Sequence, residues 1–538
     1  MAQDIKKPVE YSQYYNLESL IVGRLRDKDY NGALEDLLNF VTLVMNRQYP
    51  PGELIGSKKL DRLCEKIGLI FHEEFYQNIA HKDEFIPNDD VTVIICTGLF
   101  KSGGTSPLIG DIVRAQGRRK STVLATNSLG SMSADDLAMS RLGEIDANII
   151  VCDKGNLLDR LHWLVQQITR LEPSRIILLN HHQDSVVIAA ARPFTEKTKV
   201  LFYHHADHNL CLGVHLKGAI HVDIHNVGFC NCREKEQVRN NFYIPMTVND
   251  LGSDFVRQDF LSKNRLTTCS SASPHKFSNF YFYPYHELII DRLEARNGSH
   301  VHIGVMSEGA LQHMHSKMIE RSIDPSRLVY IPWTANLWKA LIENNVDLFI
   351  GSFPIGGART AIEVMGAGVP MLMHENYLTR FHSSRDIAYA GHFLWQYPHE
   401  FIKVISEITV EDLREHGERS RDYYLKYHCT EEIGLEEELN RICNGTSTTR
   451  PAPLYPHHPD MLDRSLHFSY LEDMAIGLSI RHDRATHVVS AAAPAIPPLV
   501  PHHSPPLSLT QKTSKVIGRS TVRTYRKARS LIPWLSNR

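Results

Sequence analysis

The sequence has no apolar run long enough to cross a membrane as a helix, and almost no net charge: 59 Lys and Arg stand against 61 Asp and Glu. The first absence excludes helical membrane spans. The second removes the global field on which a general nucleic-acid binder relies, so no nucleic-acid partner is expected. The segment Met1–Lys7 lacks the apolar core of a signal peptide. Nine scattered cysteines, an odd number, read as reduced thiols rather than a disulfide framework, and a cytoplasmic location is expected. No Gly-Lys-Thr completes the glycine loop Lys101–Leu108, which disfavours nucleotide hydrolysis. No repeat period runs through the helical start, which disfavours a solenoid.

What is present is patterning. A chain of 538 residues exceeds a single core and predicts two or three domains. Residues 1–88 read as a small all-α domain, with Leu20, Ile21, Ala33, Leu34, Leu37, Leu38, Val41 and Val44 at helical spacing and Leu60, Leu63, Cys64 and Ile67 continuing it. From Val91–Cys96 an α/β alternation runs through Ser121–Ala125, Ala147–Cys152, Arg175–Leu179 and Lys199–Tyr203. A second set follows at His300–Val305, Leu328–Pro332, Val346–Ile350 and Met371–Met373. Continuous β-branched runs between helices predict parallel sheets covered on both faces, here two doubly wound, Rossmann-like lobes over 89–262 and 263–444. Residues 445–538 read as a partly disordered Pro/His-rich linker and tail. Its last segment, Lys512–Arg538, has eight Lys or Arg and no acid, a composition suited to an anionic membrane surface or an acidic partner as much as to a free basic tail.

In doubly wound sheets ligands sit beyond the carboxyl ends of strands, which weights the motifs there. The strand Val346–Gly351 runs into Ser352-Phe-Pro-Ile-Gly-Gly-Ala-Arg-Thr-Ala-Ile-Glu-Val-Met-Gly-Ala-Gly-Val-Pro370. Gly356 and Gly357 allow close backbone approach to a ligand, and Thr360 and Glu363 stand where a helix should begin. A helix start holds phosphate, Arg359 offers a further charge, and Glu363 lies one turn in, within reach of sugar or ribose hydroxyls. A nucleotide-sugar site is the reading. After the first strand, Gly103, Gly104 and Thr105 form a loop that suits either a diphosphate approach or a plain tight turn. Tyr203-His-His-Ala-Asp-His-Asn209 closes the last strand of the first lobe. His205, Asp207 and His208 are its candidates for a general base and its acidic orienter, since histidine suits proton removal from a hydroxyl at neutral pH. A metal site is a second reading there, with His215, His221, Asp223, His225, Cys230 and Cys232 nearby. The Cys-Asn-Cys spacing is wrong for a zinc knuckle and no second pair follows, so no metal is expected.

The order and spacing of Asp347, Phe353-Pro354, Gly356-Gly357, Thr360, Glu363 and Gly368-Val369-Pro370 resemble the C-terminal lobe of glycosyltransferases with the two-lobed B-type fold. They are most similar to the O-linked N-acetylglucosamine transferase family with its SPINDLY-like and bacterial adhesin-glycosylating members. The chain departs by placing Ala358 and Arg359 where that family carries hydroxyls or a histidine. The resemblance implies a bacterial, protein-glycosylating transferase that uses a UDP-linked sugar and a protein or glycan acceptor. It implies that Lys276 meets the donor diphosphate, that Trp333 lies at the nucleobase, and that Gly103–Thr105 carries acceptor or donor contacts. Retaining members carry a second glutamate eight positions before the one at Glu363; Ile355 stands there, so inversion is expected. No convincing Asp-X-Asp follows a strand, so catalysis without a metal or other cofactor is expected. A sugar-nucleotide epimerase or hydrolase on the same fold, or a non-catalytic binder, are the alternatives.

Overall fold

The computed structural model describes residues 16–47, 54–76, 85–100, 104–133, 145–277, 281, 283–375 and 384–448. Gly103 and, from residue 449 on, the expected linker and basic tail lie outside the described residues. Two all-parallel sheets organise the chain. The first holds β1 Asn88–Cys96, β2 Lys120–Ala125, β3 Ala147–Val151, β4 Pro173–Leu179, β5 Lys199–His204, β6 Ile220–Asp223 and β7 Phe242–Tyr243 in the order 3-2-1-4-5-6-7. The second holds β8 Leu266–Ser271, β9 Gly298–Ile303, β10 Leu328–Ile331, β11 Leu348–Ile350, β12 Met371–His374 and β13 Phe393–Trp395 in the order 10-9-8-11-12-13. In each sheet the order reverses once, between β1 and β4 and between β8 and β11, and a crevice opens at each reversal.

Helices α1 Leu17–Arg26, α2 Tyr30–Arg47 and α3 Lys58–Tyr76 precede the first sheet. They do not stand apart from it. Together with α4 Thr105–Arg114, α5 Leu157–Leu171, α6 Ser185–Ala191 and α7 Asn226–Glu234 they make up the helices around that sheet. Ile21, Leu34, Val41, Ile67 and Phe71 share one core with Val93, Ile95, Ile176, Leu178 and Phe202 of the sheet. The contact is at backbone distance, because a Cβ on Gly68 of α3 would lie 2.0 Å from the Ala189 carbonyl oxygen of α6. Asp61 of α3 is buried and accepts from the Gly213 and His215 amides at 2.7 Å each.

Around the second sheet are α8 Tyr285–Ala295, α9 Glu308–Glu320, α10 Leu337–Glu343, α11 Ala358–Gly366 and α12 Pro398–Glu407. The chain then returns through α13 Val410–Tyr427, α14 Thr430–Ile433 and α15 Leu435–Cys443. Leu435, Leu439 and Ile442 of α15 share a core with Ile109 and Ile177 of the first lobe. Tyr424 Oη donates to Val248 O at 2.7 Å, and the Arg175 guanidinium donates to Asn440 Oδ1 at 2.8 Å.

A buried ion pair crosses between the lobes. Arg359 Nη1 of α11 donates to Asp111 Oδ2 of α4 at 2.6 Å and to Thr247 O at 3.3 Å, while its Nε donates to Glu363 Oε1 at 3.3 Å. The guanidinium that the sequence offered to a phosphate is engaged here by two carboxylates, and it links α11 to α4.

Gly68→Ala is expected to destabilise the protein by about 1–3 kcal/mol through overpacking, against the stabilisation of up to about 1 kcal/mol that helix propensity alone would give; the sign of the shift in denaturation midpoint decides. Arg359→Met should cost about 1–3 kcal/mol, since it leaves buried Glu363 without its ion partner while Asp111 keeps Arg114, and adding Glu363→Leu should return part of that loss in the same measurement.

Candidate functional site

The crevice of the second lobe lies between the loops that follow β8 and β11. Ser270 Oγ donates to Ile350 O at 2.9 Å and locks the two strand ends together. A short turn over Pro274–Lys276, closed by Lys276 N donating to Ser273 O at 3.0 Å, brings Lys276 back over the crevice. Its Nζ donates to Gly356 O at 2.8 Å. Burial with no carboxylate to offset it pushes the Lys276 ammonium down to about 8.

Across from it begins α11. Its N-cap is Gly357 and no side chain caps it, so the first N–H groups of the helix are left to a ligand. A Cβ on Gly357 would fall 2.9 Å from Thr360 Oγ1 and 3.6 Å from Lys276 Nζ, so a side chain there would fill the space between the lysine and the helix start. The helix begins at Ala358, two residues before Thr360, which therefore stands in its first turn. Ser352 Oγ donates to Ile355 O at 2.7 Å and shapes the approach. Glu363 is buried and accepts from Arg359, so its first partner is a side chain of its own helix. Trp333 lies two residues past β10, the outermost strand, and is 36% exposed. At about 4.8 Å per strand it stands about 10 Å from the crevice.

The wall contributed by the first lobe is rich in histidine. His205 and His208 follow β5, both half-buried. Burial, with neighbouring histidines, pushes His205 down to about 3 and His208 to about 4, so both are neutral at physiological pH with a lone pair each. Lys276 is among the groups that lower His208, which places the lysine of one lobe near the histidine of the other. Asp207 meets a third histidine: its Oδ2 lies 2.7 Å from His225 Nδ1, and a Cβ on Gly228 of α7 would lie 2.4 Å from that same oxygen, while its charge favours the protonated forms of His205 and His208. Burial disfavours a charged His225, but the Asp207 carboxylate outweighs it and raises the imidazole above its ordinary value.

The crevice of the first lobe adds residues that the sequence reading passed over. The segment Asn180-His-His-Gln-Asp184 follows β4. Asp184 Oδ2 accepts from Thr97 Oγ1 at 2.7 Å and from Thr126 Oγ1 at 2.8 Å, which ties the ends of β4, β1 and β2. His182 is buried, with its ring centroid 4.8 Å from that of His208 and perpendicular to it. His181 Nδ1 contacts Gln183 Oε1 at 2.6 Å. Gly104 forms the N-cap of α4 and Thr105 its first residue, again without a side-chain cap. Among the described residues, the buried atoms His182 Nδ1 and Nε2, His205 Nδ1, His225 Nε2, Asn180 Oδ1 and Asn209 Oδ1 have no hydrogen-bond partner. Such a concentration of unsatisfied polar atoms at the carboxyl ends of one sheet points to a polar ligand.

No protein-family model matches the chain, and no curated protein matches it. Solved structures do. A glycosyltransferase from Rickettsia africae matches with a TM-score of 0.50 at 11% identity, over 66% of this chain and 99% of that one. HepE from Anabaena, in complex with UDP and glucose, gives 0.48 at 13% identity over 66% and 99%. An O-GlcNAc transferase from Thermobaculum terrenum gives 0.44 at 13% identity over 77% and 82%. The first likeness extends over nearly all of its partner, and with the two doubly wound sheets it establishes the architecture: this chain has the two-lobed B-type fold.

Proposed function

We propose that the protein transfers a sugar from a nucleotide sugar, UDP-linked, to a hydroxyl or amide of a protein or glycan, with inversion and without a metal at the diphosphate. The observation that carries this reading is the half-buried Lys276 ammonium held beside the uncapped start of α11 at the β8/β11 crevice. Both features present positive charge to one point, and a diphosphate is the ligand that answers both. The nucleoside would extend from there toward Trp333, and the sugar toward the histidines of the opposite wall. That the Rickettsia africae protein of the same fold is a glycosyltransferase agrees with the reading.

In this mechanism His205 or His208 accepts the proton of the acceptor, whose oxygen or nitrogen attacks the anomeric carbon opposite the leaving group. The bond from that carbon to the diphosphate breaks, and the negative charge that develops on the departing oxygen is taken up by Lys276 and the N–H groups of α11. A neutral imidazole is the state this requires. Asp207 and His225 form a buried pair beside these histidines. Asp111 and Arg359 set how the two walls face each other.

Release of nucleoside diphosphate from a panel of UDP-, GDP-, ADP- and TDP-sugars, with and without cell lysate as acceptor, tests the reading. Acceptor-dependent release from one donor supports it, acceptor-independent release favours a hydrolase, and silence from every donor counts against transfer. Lys276→Gln is expected to lower kcat by about 10²–10³-fold with the fold intact by circular dichroism, and near-normal turnover would remove the lysine from the site. Since the lysine is charged below about 8 and neutral above it, kcat/KM for the donor should fall as pH rises through about 8; a flat profile to pH 10 would contradict that role.

A further inference from the structure

A second constellation lies beneath the histidine wall, on the side of β5 and β6 where α7 packs. His204 ends β5. His221 and Asp223 stand two apart on β6 and so project from one face, and the strand register sets His204 opposite Asp223. Cys232 reaches in from α7. Exposure is 0% for His204, Asp223 and Cys232 and 5% for His221.

His204 Nδ1 lies 3.2 Å from Asp223 Oδ1 and 3.2 Å from Cys232 Sγ, and His221 Nε2 lies 3.1 Å from the same Asp223 oxygen. One ligand atom from each of the four residues falls within 4.8 Å of all the others. A tetrahedral zinc ion, with bonds of 2.0–2.3 Å, spaces its ligand atoms by about 3.3–3.7 Å, so these atoms stand within a few tenths of an ångström of such a shell along three edges.

Hydrogen bonding alone satisfies both nitrogens of His221 only when the ring carries two protons. Its Nδ1 faces Val214 O at 3.2 Å while its Nε2 faces the Asp223 carboxylate. Both neighbours are acceptors, and a neutral imidazole has one N–H to give. A cation beside Nε2 lets the ring stay neutral, because Nδ1–H then donates to the carbonyl and the Nε2 lone pair goes to the metal. That is how a metal-bound histidine is usually held. Asp223 is braced in the same manner: its Oδ2 accepts from Asn241 Nδ2 at 2.6 Å, and Asn241 Oδ1 accepts from Arg233 Nε at 3.1 Å, which leaves Oδ1 for a single metal bond.

We propose that His204, His221, Asp223 and Cys232 bind one zinc ion in a closed structural site that ties β5, β6 and α7 together. Binding forms four ligand bonds and releases the Cys232 thiol proton to solvent. Two neutral imidazoles, one carboxylate, one thiolate and a divalent ion carry no net charge together, which suits a buried site. Four protein ligands leave no open position for a substrate, so the ion has no part in the transfer chemistry and is distinct from the metal-free diphosphate site at Lys276. It revises the sequence expectation that this region holds no metal. The ligands come from β5, β6 and α7 rather than from a cysteine pair, and half-buried Cys230 is not among them. Since His204 directly precedes His205, the ion would fix the origin of the loop that carries the candidate bases.

Metal analysis of the full chain, purified from zinc-supplemented medium and passed through a desalting column, tests the proposal. About one zinc per chain is expected for the unaltered protein and for Cys230→Ser, and less than a tenth of that for Cys232→Ala. Asn241→Leu should weaken zinc affinity about 10–100-fold in a competitive chelator titration. If Cys232→Ala fails to fold, the unaltered protein decides the matter: cobalt should replace zinc with the intense visible absorption of a tetrahedral ion and a thiolate-to-cobalt band. A folded, metal-free chain that gives no such spectrum with cobalt overturns the proposal, as does full zinc occupancy in Cys232→Ala.

Discussion

An ammonium and a helix N-terminus are held side by side at the β8/β11 crevice, with no carboxylate facing the lysine closely enough to raise it. Two positive features are brought together in a half-buried place, and burial holds the Lys276 ammonium below its ordinary value. Among the described residues the Gly356 carbonyl accepts from it, and the carbonyl is presented by the same glycine loop that leaves the helix start uncapped. The shape of the loop, the missing side chain at Gly357 and the turn at Pro274–Lys276 all serve one arrangement. That arrangement is a poor resting state and a good anion site.

The opposite wall gains its meaning from where the lobes are held. Arg359 belongs to the helix proposed to hold the diphosphate, yet its guanidinium reaches across to Asp111, so that helix also contacts the first lobe. The returning helices α13 to α15 fasten the lobes a second time, through Tyr424 to Val248 and through the apolar face of α15. Between these two fastenings, the neutral histidines face the lysine. Neutral imidazoles opposite a cation make a divided site, which under the proposed function would bind negative charge on one side and accept a proton on the other.

Much of the architecture was legible in the sequence. Strands such as Val93–Cys96 and Leu348–Ile350 are buried and read as continuous apolar runs, so the parallel sheets announce themselves. The strand Ile220–Asp223 did not, because His221 and Asp223 interrupt its pattern. The glycine loop and the helix after it were legible to within two residues, the shift arising because Gly357 begins the helix without a capping side chain. Partnerships were not legible. Asp207 reads as the orienter of a histidine in its own motif, but the fold brings His225 to it from the start of α7. Arg359 reads as a phosphate ligand, and a carboxylate 248 positions earlier takes it instead. His181 and His182 follow a strand whose end matters only once β4 is known to lie beside β1 at the reversal of strand order. Spacing along the chain carries local structure, whereas these pairings follow from sheet order.

A crystal structure of the protein with a bound nucleoside diphosphate tests the central claim most directly. The account predicts diphosphate oxygens within hydrogen-bond distance of Lys276 Nζ and of the N–H groups that open α11, with the nucleoside running toward Trp333. A diphosphate seated in the first lobe beside Gly104 and Thr105, with the Lys276 to Gly356 contact undisturbed, would contradict it.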